Sequence, residues 1–120
     1  MPKTILVADD SPAELNLITN ALRRHGFEII AANDGEEAVA KAQDQQPELV
    51  ICDVVMPKKN GFQVARQLKT GDATKTIKIL LVSSKNQDSD RFWGLKQGAD
   101  EYLTKPWNEQ GLLDAISKLI

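Results

Sequence analysis

Apolar residues fall along the chain in short runs separated by segments of helical periodicity. The runs cover residues 5–8, 27–32, 49–52 and 79–82, with a weaker one at 102–103. Short runs rich in Ile, Val and Leu, without alternation, predict strands covered on both faces. Between them, Leu15, Ile18 and Leu22 share one helical face, as do Phe62, Ala65 and Leu68, and later Leu112, Ala115 and Leu119. Gly26 and Gly98 stand where helices should stop, and Pro47 precedes the third run. Five strand–helix units predict an α/β fold with a parallel sheet, right-handed crossovers and helices on both faces. No linker, low-complexity segment or second domain interrupts the pattern, so residues 1–120 read as one domain.

Composition narrows the functional classes. The chain has 120 residues, 42% hydrophobic and 27% charged, the balance of a soluble globular domain. Its net charge is −2 and no basic run occurs, which argues against nucleic acid as a partner. Cys52 is the single cysteine, so neither an internal disulfide nor a thiolate metal cluster is expected. The apolar runs are far too short to enter a membrane, and no export signal opens the chain. A cytoplasmic monomer is the expectation.

The chemistry begins where the apolar runs end. The stretch "ILVADDSP" places Asp9 and Asp10 directly after the first run. Capping of the first helix is the simplest use for them. But Ser11 fits the N-cap, Pro12 the first helical position, and Glu14 the return contact of a capping box, which leaves both aspartates surplus. "LVICD" sets Asp53 after the third run. In an open parallel sheet, the carboxyl ends of the strands line one edge, where ligands bind. If the first and third strands are neighbours, Asp9, Asp10 and Asp53 converge, and three carboxylates so close need a cation. Oxygen ligands without His or Cys suit Mg²⁺. Ser83 follows the fourth run and Lys105 the fifth. Carboxylates, a hydroxyl, an ammonium and a metal at one edge suit phosphoryl transfer, with a carboxylate as nucleophile.

Other conspicuous residues have simpler uses. His25 fits a favourable charge at a helix C-terminus. Cys52 reads as a small buried hydrophobe, Asn60 with Gln63 as a helix cap, and Trp93 as core or partial core. Trp107 reads as the start of the last helix, exposed enough to be a candidate partner contact.

Paired acids after the first strand, a lone Asp after the third, Ser after the fourth and Lys-Pro after the fifth resemble the receiver domain of two-component response regulators, over the whole chain. The resemblance implies a CheY-like, doubly wound five-stranded parallel sheet of order 2-1-3-4-5 with five helices. It implies that Asp53 accepts a phosphoryl group from a histidine kinase. Asp9, Asp10, Asp53 and the backbone carbonyl of Val55 would hold Mg²⁺. Lys105 would pair with the phosphoryl group, Ser83 would shift to hydrogen-bond it, and Tyr102 would turn inward as Ser83 moves. A signal would leave through the face made by the fourth helix, fifth strand and fifth helix, towards a protein target that the sequence does not name.

The stretches "ADDSPAE", "VVMPKKNGFQVARQL" and "WGLKQGADEYLTKPW", with no output domain expected, resemble the PilH-type receivers of pilus-linked chemosensory systems. That subfamily is tied to twitching motility and to kinases of the CheA kind. Val55 and Lys85 stand where flagellar receivers carry a polar residue and an acid, which puts a short aspartyl-phosphate lifetime in doubt. The resemblance implies a regulatory phosphoacceptor and not an enzyme, its chemistry limited to Mg²⁺-dependent self-phosphorylation and autodephosphorylation. A phosphate sink for the same kinase and a phosphorylation-independent binding module remain open. An aspartyl-phosphate phosphatase would want D-x-D after the first strand, and a flavin carrier a Ser/Thr/Gly-rich loop there.

Overall fold

The computed structural model describes residues 2–120. Strands and helices alternate: β1 (Thr4–Ala8), α1 (Pro12–Arg24), β2 (Glu28–Ala32), α2 (Gly35–Gln45), β3 (Leu49–Asp53), α3 (Gly61–Thr70), β4 (Lys78–Ser83), α4 (Asp88–Lys96), β5 (Glu101–Thr104) and α5 (Glu109–Ser117). The sheet is parallel throughout, in the order β2-β1-β3-β4-β5. This is the expected doubly wound α/β fold.

The central strands are apolar at successive positions because each face of the sheet has its own helical layer. Ile5 and Val7, Leu49 and Ile51, and Leu80 and Val82 pack with Leu15, Ile18, Leu22, Leu112 and Ile116 of α1 and α5. Leu6, Val50, Ile79 and Leu81, on the opposite pleat, pack with Val39, Val64 and Leu68 of α2 and α3. The period of two therefore divides one hydrophobic run between two cores.

Local chemistry sets the helix ends. Asn60 and Gln63 form a reciprocal capping box on α3, as expected. His25 is the C-cap of α1, and Gly26 follows it in the left-handed region at φ 86°. Gly98 does the same after α4 at φ 106°.

Two expectations require correction. Trp107 does not start the last helix: Asn108 caps α5, accepting from Gly111 N. Trp107 precedes that cap, half-buried, in the core cluster that includes Leu112. With Leu112 four residues beyond the cap, it has the spacing of a hydrophobic staple. Trp93 is not core but 53% exposed. The reason is α4 itself, whose only buried residue is Gly94.

Candidate functional site

Strand register assembles the site. Ala8 pairs with Cys52, so Asp9 and Asp53 are the next residues on neighbouring strands. Ser83 pairs with Thr104, and the Lys105 N–H donates to the Ser83 carbonyl at 2.8 Å. Ser83 ends β4 beside Asp53, which pairs with Val82. The residues terminating β1, β3, β4 and β5 thus share the carboxyl edge of the sheet.

Asp9, Asp10 and Asp53 present carboxylate oxygens within 4.8 Å of one another. Asp9 is 2% exposed, Asp53 is half-buried and Asp10 is exposed. The Asp9 carboxyl is raised above its ordinary value. Burial is the main cause. The Ser11 N–H and Lys105 oppose it, while Asp53 and Glu14 add repulsion. Asp9 Oδ2 has no hydrogen-bond partner among the described residues. A buried acceptor left unpaired beside two more carboxylates is what a hard cation would complete. The donor set therefore fits Mg²⁺.

Lys105 is the counter-charge within the protein. Its ammonium stands 3.3 Å from Asp53 Oδ2, 3.6 Å from Asp9 Oδ2 and 3.8 Å from Glu14 Oε2. Burial alone would lower its pKa, but Asp53, Asp9 and Glu14 together hold it above the ordinary value. Ser83 is fully buried, and its hydroxyl accepts the Lys85 N–H at 3.1 Å. Cys52, next to Asp53, is fully buried in β3; burial first, then Asp53 and Asp9, push its thiol up and keep it out of thiolate chemistry.

Tyr102 is already inside. Its ring is 3% exposed, and its hydroxyl donates to the Lys85 carbonyl at 2.8 Å. Burial raises the phenol, with the Ser83 hydroxyl pulling the other way. Val55 is 58% exposed, and its N–H donates to Asp53 Oδ1 at 3.3 Å.

Glu14 departs from its expected use. Ser11 does cap α1, accepting from Glu14 N at 3.4 Å, with Pro12 in the first turn. But the Ser11 N–H, which Glu14 should satisfy in a capping box, donates to Asp9 Oδ1 at 2.9 Å. Asp9 is therefore not surplus to local structure. Its Asx-type turn occupies the donor and frees Glu14 to face Lys105. Reading along the sequence missed Glu14 because S-P-A-E fits a capping box so well. Leu17, Ser84 and Pro106 were also missed; with Glu14, Lys105 and Trp107 they line a groove beside the site.

Comparison with known proteins agrees with this geometry. Residues 5–117 match the family described as response regulator receiver domain. The chain is 42% identical over 116 residues to Protein PilH of Pseudomonas aeruginosa, covering 97% of this chain and 96% of that protein. Several other curated relatives are longer, and the chain spans about half of each of these. Chemotaxis response regulator CheY4 of Vibrio cholerae superposes with a TM-score of 0.94 at 29% identity over the full length of both chains. The CheX–CheY–BeF₃–Mg²⁺ complex of Borrelia burgdorferi matches with a TM-score of 0.92 at 27% identity, covering 98% of this chain and 89% of that one. With β1, β3, β4 and β5 delivering acids, serine and lysine to one edge, and a family match running from β1 to the end of α5, this chain belongs to the CheY-like response regulator receiver domains.

Proposed function

We propose that this receiver accepts a phosphoryl group on Asp53 from a histidine kinase of the CheA kind and passes the signal to a protein target in type IV pilus motility. The observation that carries the reading is the Lys105 ammonium 3.3 Å from Asp53 Oδ2, beside the unpaired Asp9 Oδ2. A nucleophilic carboxylate held against a fixed cation suits in-line attack on phosphorus. An Asp53 oxygen forms the new P–O bond. The P–N bond to the donor histidine breaks, and its electron pair leaves on the imidazole nitrogen. Lys105 then pairs with the phosphoryl oxygens, and the Ser83 hydroxyl donates to one of them.

Asp9, Asp10, Asp53 and the backbone carbonyl of Val55 are the proposed Mg²⁺ ligands. Bound there, Mg²⁺ neutralises charge on the transferring group. Beryllofluoride and magnesium in the Borrelia CheY complex support this reading. Similarity to PilH along nearly its whole length supports the pilus-linked assignment, and the proposed output face is α4-β5-α5.

The test is labelling by acetyl phosphate in Mg²⁺ buffer. Intact mass should rise by one phosphoryl group on Asp53, and both EDTA and Asp53→Asn should abolish it. Stable label elsewhere in Asp53→Asn would refute the assignment.

A further inference from the structure

Glu14 has no part in the chemistry argued above, and its usual local partner is taken. A glutamate at the third position of a helix returns its carboxylate to the N-cap N–H. In α1 that N–H is bonded to Asp9 Oδ1. Glu14 Oε2 instead stands 3.8 Å from Lys105 Nζ, the third carboxylate around that ammonium after Asp53 and Asp9. The three differ in access. The Asp9 and Asp53 side chains are 2% and 12% exposed, whereas that of Glu14 is 38% exposed. Glu14 also lines the groove formed with Leu17, Ser84, Lys105, Pro106 and Trp107. It is the most accessible of the three carboxylates around Lys105.

We propose that Glu14 is a positioning residue for Lys105 that sets the site against small, highly charged phosphodonors. The inference rests on the reading of Asp53 as phosphoacceptor. Glu14 shares the one cation that must turn to the incoming phosphoryl oxygens, and its exposed negative charge repels an anion that comes up to Lys105. A free dianionic donor meets both effects without compensation. A phosphoryl group carried by a docked partner has the rest of the interface to bring it in, so a single carboxylate weighs less.

The experiment compares wild type with Glu14→Gln and Glu14→Asp in Mg²⁺ buffer. The readout is the second-order rate of Asp53 labelling by acetyl phosphate, a dianion near neutral pH, and by phosphoramidate, a monoanion there. In each step, an Asp53 oxygen bonds to phosphorus while acetate or ammonia leaves with the electron pair of the broken bond. Glu14→Gln should speed labelling by acetyl phosphate about threefold at low salt, the order expected of one charge acting through screened water. The gain should be smaller with phosphoramidate and should shrink as salt rises. Glu14→Asp, which keeps the charge, should stay near wild type. Matching thermal melts would exclude a folding effect, and the salt dependence of wild type gives a measurement needing no variant. Equal rates for wild type and Glu14→Gln, or equal gains with both donors, would overturn the inference. Wild type that stays unlabelled at Asp53 would overturn the phosphoacceptor reading itself, and this inference with it.

Discussion

The Tyr102 hydroxyl donates to the backbone carbonyl of Lys85 at 2.8 Å, from a ring 3% exposed. This bond ties β5 to the loop between Ser83 and α4. It changes how a signal could leave the site, because entry of the ring into the molecule is not a step available from this conformation. What can still move is the loop. Ser83 Oγ accepts from Lys85 N, so a Ser83 hydroxyl that shifts towards a phosphoryl group either draws that N–H along or lets it go. Beryllofluoride should therefore shift the amide resonances of residues 84–87 strongly and the Tyr102 ring resonances little. In Ser83→Ala the loop shifts should largely disappear. Large Tyr102 ring shifts in wild type would show that the ring itself is the moving part.

Tyr102→Phe isolates the same bond. It removes one neutral hydrogen bond and leaves the ring in place, so stability should fall by about 1 kcal/mol. Hydrogen exchange should rise in the loop at 84–87 and at the N-terminus of α4, but not in β1 or β3. Protection unchanged there would mean that the loop is held by other contacts.

Asp9 predicts a pH dependence in metal-free protein. Its carboxyl is raised by burial from an ordinary value of 3.8. A raised acid binds its proton more tightly in the folded state than in the unfolded one. Folding is therefore penalised above the raised value, and the penalty is lifted as pH falls through it towards 3.8. In EDTA, Asp9→Asn should be more stable than wild type at pH 7, because the amide oxygen can still accept from Ser11 N. The gap should close as pH falls through that window, as urea titrations at several pH values would record. Wild type the more stable at pH 7 would mean that attraction to Lys105 outweighs burial.

The strand ends were legible because each polar residue interrupts an apolar run at the same point of its strand. Asp9, Asp53 and Ser83 each follow four residues that have no reason to stop being apolar. Register then did the rest, since Ala8 pairs with Cys52 and Ser83 with Thr104. The fourth helix was harder to read. Phe92, Trp93 and Leu95 look like core residues in the sequence, yet all three are exposed, and α4 packs through Gly94 instead. A glycine contact carries no hydrophobic signal. Glu14 was hidden for another reason. The capping box and the Asp9–Ser11 turn compete for one N–H, and only the tertiary position of Asp9, at the end of a buried strand, decides between them.

Gly61 supports Asp53 from behind. A Cβ added there would lie 2.6 Å from the Asp53 carbonyl oxygen and 2.8 Å from Val54 Cα, both backbone atoms that cannot swing aside. The close approach allows the Gly61 N–H to donate to the Val54 carbonyl at 2.8 Å, fixing the chain just after the phosphoacceptor. Gly61→Ala should cost about 1–3 kcal/mol, as overpacking does. It should also slow labelling of Asp53, because either Asp53 or the start of α3 must move. Unfolding and labelling measured on the same preparation would check both. Wild-type labelling with lowered stability would show that α3 yields and Asp53 does not.

Asp10 separates metal binding from structure. It is exposed, takes part in no hydrogen bond or ion pair among the described residues, and presents an oxygen within 4.8 Å of those of Asp9 and Asp53. The N-cap of α1 is Ser11, and the return bond to its N–H comes from Asp9, so neither depends on Asp10. Asp10→Ala should therefore leave the metal-free fold as stable as wild type, or slightly more so through relief of repulsion. Stabilisation by Mg²⁺ is a linkage effect, about 2.7 kcal/mol for wild type at a hundred times its Kd. At that same Mg²⁺ concentration the variant should show little of it. Melting curves with EDTA and with Mg²⁺ give both quantities. A loss of about 1 kcal/mol in EDTA, the size of a lost N-cap, would instead make Asp10 part of the helix start. Mg²⁺ stabilisation equal to that of wild type would remove it from the metal site.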